Sequence, residues 1–195
     1  MTKINTAEGP RVQPWFVLSI LAGNLIQLGG LLAGLTLVMG TARTKRPART
    51  RLLLAGWLVT YFCNHAIGHW GVGRLAGIRF TGYGMHGTTA PHWYPPGMRW
   101  IFQHLPLFSA RTDPASLKAA HPLARSAMYL GGPLLTLLTG LGIPLYGRAK
   151  HIPRAQALLI GTTLWFIPML IVEIIRPAGD LHRAWRDLRC ENHER

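Results

Sequence analysis

Residues 52–74 read LLLAGWLVTYFCNHAIGHWGVGR, and the 22 residues between Arg51 and Arg74 include no Asp, Glu, Lys or Arg. A helix that crosses the hydrocarbon of a bilayer needs about 20 apolar residues, each adding ~1.5 Å. This stretch meets that need. Near its C-terminal end His65 and His69 stand four positions apart, which stacks two imidazoles on one helical face.

Working outward, three more stretches have the same character. One spans about residues 15–39, one 126–147 and one 155–175, the last interrupted only by Glu173. With 52–73 they give an expectation of four transmembrane helices in a single multi-pass domain covering 1–195. Such spans must be helical because unpaired peptide groups are costly in lipid. The first is too long for a cleaved signal peptide and has no A-x-A site after it. Gly30 and Gly34 form a GxxxG spacing that permits close helix contact.

Composition supports this reading. Hydrophobic residues make up 49% and charged residues only 14% of the 195-residue chain, against ~25% charged in soluble domains. Mean hydropathy is +0.18, which excludes disorder. The 21 Lys and Arg outnumber the 7 Asp and Glu for a net charge of +14. These cations sit between the apolar runs, so a membrane and not a nucleic acid is the implied partner. Two cysteines, Cys63 and Cys190, make no disulfide framework. The fold class is therefore all-α integral membrane, located in the cell membrane. Cations in the short connections divide almost equally between the two sides, so their count does not fix orientation.

Residues 74–121 are rich in Gly, Pro and aromatic residues and cannot form a regular span. They suit an irregular segment lying on the membrane or re-entering it, with IRFTGYG as a short strand or turn. The 176–195 tail mixes both signs and reads as a polar, solvated end.

Two stacked histidines at the end of an apolar helix need polar partners or a ligand. They suit a metal ion, or bonds to backbone and water at the interface. Acids near the apolar stretches are scarce. Asp180 follows a Pro177-Ala178-Gly179 break that could turn its carboxylate inward, cap a helix or face Arg183. Glu173 could pair with Arg176, three positions on.

The run HAIGHWGVGRLAGIRF (65–80) resembles the HExxH segment of the site-2 protease-like intramembrane zinc metalloproteases. Gly131-Gly132-Pro133-Leu134-Leu135-Thr136 resembles that family's GPxxN helix. Pro177-Ala178-Gly179-Asp180 stands where the family carries an Asp-Gly motif. The resemblance spans roughly residues 52–185, with the motifs in family order, and implies zinc held by His65, His69 and Asp180 near the cytoplasmic face. It also has departures: the family's glutamate is Ala66, its GPxxN asparagine is Thr136, and Asp-Gly is reversed.

Without the glutamate no group takes the proton of a metal-bound water, a loss of ~10²–10⁴ in rate. The expectation is a zinc site with weak or absent peptidase activity, a pseudoprotease that engages a transmembrane protein as substrate or partner. An active protease using Glu173 as a displaced base is one alternative, although seven positions on a continuous helix separate it from Asp180 by about 10.5 Å. A di-iron hydroxylase or desaturase is another. It would draw on His86, His92, His104 or His121, but no second histidine box is present.

Overall fold

A computed structural model describes residues 14–88 and 91–193. The chain is mostly helical. Long helices α1 (Ile20–Gly40), α2 (Arg46–Leu75), α5 (Pro122–Ala149) and α6 (Ala155–Ile175) form a bundle, and α7 (Asp180–His193) closes the described chain. Strands β1 (Phe16–Leu18), β2 (Phe80–His86) and β3 (Leu107–Thr112), with short helices α3 (Pro96–His104) and α4 (Pro114–Ala119), complete it.

Three helical stretches are long and apolar enough to cross a membrane: Ile20–Arg43, Pro122–Ala149 and Ala155–Ile175. Their outward faces carry exposed Leu25, Leu32, Leu138, Leu164 and Ile171, as lipid-facing helices do. The fourth expected span, 52–73, is helical but lies inside the longer α2, whose first turns hold Arg46, Arg49 and Arg51. Together with Asn64, His65 and His69 these lower its apolar character. Its main neighbours are α1 and α5, which flank it.

Small residues set those contacts. A Cβ on Gly34 would strike Thr60 of α2, and one on Gly56 would strike Val38 of α1, so the GxxxG in the first stretch does serve close packing. Gly68 and Gly131 allow α2 and α5 to approach until each backbone meets the other.

The first stretch begins later than its apolarity suggests. Residues 16–18 are drawn out as β1, which pairs antiparallel with β2, and α1 starts after Ser19 accepts the N–H of Ala22 at 3.2 Å. The 74–121 region is likewise more regular than expected. It holds the short helices α3 and α4, and β2 pairs antiparallel with β3 in a sheet ordered β1-β2-β3. IRFTGYG is the strand alternative realised. Gly82, at φ +152, takes the irregularity in the β2–β3 register beside Leu18, a conformation that L side chains rarely adopt.

The segment carrying α3 is fixed to the bundle by aromatic stacking. Tyr94 stacks on Phe102 with ring centroids 4.6 Å apart, and Phe102 stacks on Trp165 of α6 at 5.3 Å. Trp165 Nε1 then donates to the Tyr61 hydroxyl of α2 at 2.9 Å.

The polar end of the chain is not a free tail. Residues 180–193 form α7, which docks on α5 through buried Ala184 and an ion pair between Arg125 Nε and Asp187 Oδ2 at 3.0 Å. Arg125 also donates to the Ala120 carbonyl at 2.8 Å, so one guanidinium joins the start of α5 to α7.

Candidate metal centre

Three of the side chains singled out in the sequence converge. His65 and His69 project from α2 with ring centroids 4.7 Å apart and planes nearly perpendicular. The break at 176–179 ends α6 and starts α7 with Asp180, whose Oδ2 lies 3.3 Å from His65 Nε2 and 3.1 Å from His69 Nε2. The two Nε2 atoms are 3.1 Å apart. Among the described residues these three form the group with metal-ligating geometry.

The partners of the other ring nitrogens decide what faces the centre. His69 Nδ1 lies 2.8 Å from the Met128 carbonyl of α5. A carbonyl only accepts, so Nδ1 carries the hydrogen and the neutral ring aims the Nε2 lone pair at Asp180. His65 Nδ1 lies 3.1 Å from Thr136 Oγ1. The single Thr136 hydrogen is directed at Asn64 Oδ1, 2.9 Å away, or at the Gly132 carbonyl, 3.0 Å away. Its oxygen therefore accepts from His65 Nδ1–H, and the His65 Nε2 lone pair also faces inward.

Fully buried Asn64 completes the support by donating to Thr139 Oγ1 at 2.6 Å. Gly132 makes room for the ring, since a Cβ there would run into His69 Nε2. Pro133, inside α5, has no N–H to offer the Tyr129 carbonyl four residues back.

Two lone pairs and a carboxylate oxygen on a triangle of 3.1–3.3 Å edges repel one another unless positive charge lies among them. Protons on the imidazoles or a metal ion supply it. Ligands about 2.05 Å from a tetrahedral zinc are separated by about 3.3 Å, so the edges observed fit that ion with little movement. Two histidines and one carboxylate also form a donor set that zinc accepts with a fourth position open. With protons on Nε2 of the rings, the pull of His69 and the hydrogen bonds both rings then donate hold the Asp180 carboxyl well below the usual carboxylate range, against burial, which alone would raise it.

Glu173 comes closer than a continuous helix would allow, because the chain folds back at Pro177. Its Oε2 accepts the Asp180 backbone N–H at 2.6 Å and its Oε1 faces Arg176 Nη2 at 3.3 Å. The pairing with Arg176 is therefore present, and the same carboxylate fixes the start of α7. Both oxygens are engaged. Arg183, the other partner considered for Asp180, turns instead to the Tyr129 ring at 5.6 Å. Ala66 is buried beside His65 and offers no proton-accepting group.

The triad opens on a cavity of about 490 Å³ walled by Tyr61 and Phe62 of α2, Phe102 of α3, Met169 of α6 and the β2–β3 sheet. Arg176 borders it with a buried Nε that has no hydrogen-bond partner among the described residues. His86 also lines it. Its Nδ1 bonds the Gly87 carbonyl at 2.7 Å and its Nε2 lies 3.1 Å from Ser109 Oγ. His104 is held by the Trp100 carbonyl, and His121 Nδ1 accepts the Leu123 N–H at the start of α5. His92 lies beside the Trp93 ring. None of these four joins the triad.

Asn64, Met128 and Thr139 are supporting residues that the sequence did not mark. Thr136 drew notice only as a departure from a motif. A small polar residue beside His65 and two threonines three apart on α5 were the available signal. No protein-family model matches the chain, and no curated protein or solved structure shows significant similarity to it.

Proposed function

We propose that the chain is a multi-pass protein of the cell membrane that holds one zinc ion through His65, His69 and Asp180, in a core arranged like that of the site-2 proteases. The carrying observation is the convergence of two imidazole lone pairs and a carboxylate oxygen within 3.3 Å of one another, from segments 111 and 115 residues apart. In this reading α2 is the fourth span. Its 22 charge-free residues run between α1 and α5 and cross with them.

Bound zinc would act as a Lewis acid and bring the pKa of its water to about 7. The residues around it do the holding: Met128 and Thr136 orient the rings, and Glu173 fixes the backbone of Asp180. What is missing is a free proton acceptor, since Ala66 has none and both Glu173 oxygens are bonded. Peptidase activity is therefore weak or absent, and the cavity serves to engage a segment of a transmembrane protein.

A second reading draws on one observation. Glu173 borders the same cavity as the triad. If its bond to Arg176 opens, Oε1 becomes a base and the chain is an active intramembrane metalloprotease. The di-iron alternative has less support, because His86, His92, His104 and His121 are engaged away from the triad.

Metal analysis of the purified full chain, with a cleavage assay on a transmembrane peptide, separates these readings. The primary reading expects one zinc per chain, lost in His65→Ala and Asp180→Ala, and no cleavage. Cleavage that disappears in Glu173→Gln while zinc remains supports the second. Two irons per chain would support the oxygenase, and a chain that takes up no metal overturns all three.

A further inference from the structure

At the end of the bundle away from the triad, the α1–α2 connection carries Arg43, Lys45, Arg46, Arg49 and Arg51, and the α5–α6 connection carries Arg148, Lys150 and Arg154. The two connections form one surface. Thr50 Oγ1 donates to the Pro153 carbonyl at 2.9 Å, and Ile152 is buried with Val38 and Leu53 beneath them. Residues 41–54 and 147–155 contain no Asp or Glu. Among the described residues none of these eight cations pairs with a carboxylate. At the other end the acids are used in pairs, such as Arg79–Asp113 and Arg125–Asp187.

The cations also oppose the helices they flank. Helix α2 starts from Lys45 and α6 from Arg154, both without a side-chain cap and without an acid in the first turn. A helix N-terminus carries partial positive charge and favours anions. Two such ends here meet lysine and arginine instead. Arg154 and His151, the non-glycine residues of positive φ among those described, lie in the same connection, where backbone strain marks a constrained turn. An external anion relieves both the dipoles and the side-chain charge.

Met39, Leu54 and Leu145 are exposed on α1, α2 and α5 next to these cations. The charged surface thus begins where the apolar faces stop, at the depth of lipid headgroups. We propose that this end of the bundle binds the phosphate groups of anionic phospholipids. The inference rests on the membrane reading but not on the metal.

The test is native mass spectrometry of the full chain in detergent micelles doped with phosphatidylglycerol or phosphatidylcholine. Wild type is expected to retain phosphatidylglycerol preferentially, even against excess inorganic phosphate. The triple change Arg43→Gln, Lys45→Gln, Arg46→Gln should weaken that retention by about tenfold or more, and so should Arg148→Gln, Lys150→Gln, Arg154→Gln. The two triples guard against one of them failing to fold, and zinc content should stay at the wild-type level in both. Arg74→Gln, Arg111→Gln, Lys118→Gln removes three exposed cations at the other end and should have a smaller effect. Equal retention of the two lipids, displacement by free phosphate, or an equal loss in the last variant overturns the proposal.

Discussion

Replacing Thr136 by Val keeps the shape of the side chain and removes its hydroxyl. That hydroxyl accepts from His65 Nδ1–H at 3.1 Å and supplies a hydrogen to Asn64 Oδ1 or the Gly132 carbonyl. The variant leaves His65 Nδ1–H without an acceptor and Asn64 Oδ1 without its donor. Removing such an outer partner of a metal-bound imidazole typically costs 10–100-fold in metal affinity, or about 1.4–2.7 kcal/mol. The range agrees with the ~1–3 kcal/mol expected for leaving one buried polar group unsatisfied. Competition of the full chain with a zinc chelator at pH 7.5 would measure it. Thr136→Ser retains the hydroxyl and should remain within about threefold of wild type. If Thr136→Val holds zinc as tightly as wild type, the assigned tautomer of His65 is wrong, and with it the claim that α5 orients the site.

Neighbouring contacts give further expected outcomes. Gly132→Ala places a methyl group against His69 Nε2 and should abolish zinc binding, with a stability loss of about 1–3 kcal/mol by overpacking; wild-type zinc content would refute this. Asp187→Asn leaves Arg125 without its charge partner and should destabilise the chain by roughly 3 kcal/mol, releasing zinc as α7 loosens. Thermal unfolding with and without the metal reads both effects, and Arg125→Asp combined with Asp187→Arg should recover part of the loss. Zinc should leave as pH falls, because protons compete with the ion for the two imidazole lone pairs. Asp180 does not set that dependence. Its carboxyl is held below the ordinary range, so its contribution is complete above about 3.9 and fades only as pH drops further. Zinc retained unchanged to pH 4 would contradict the role of the histidines.

The long helices were legible because absence of charge over about 20 residues is a one-dimensional signal. The same signal overstated α1, since Trp15 to Leu18 are as apolar as the helix after them. Residues 16–18 are drawn into a strand by the edge of β2, which is far away in sequence. Nor did that signal account for α7, whose amphipathic face matters only once Arg125 of α5 is beside it. The histidine pair could be read from a four-residue spacing. Asp180 needed the Pro177–Gly179 break to be read as a reversal and not merely an end, and the distance to Glu173 depended on the same step. Asn64, Met128 and Thr139 act through contacts between α2 and α5, and a backbone carbonyl has no sequence signature.

The third arm of the triad comes from the last described helix, 115 residues after the first histidine. During synthesis the emerging polypeptide offers two imidazoles well before Asp180 can reach them, and two imidazoles alone make a weak chelator. On the proposed reading, capture of an ion is deferred until α7 has docked. Occupancy would then report the docking of α7, and a product terminated before Asp180 would be left unable to sequester scarce metal.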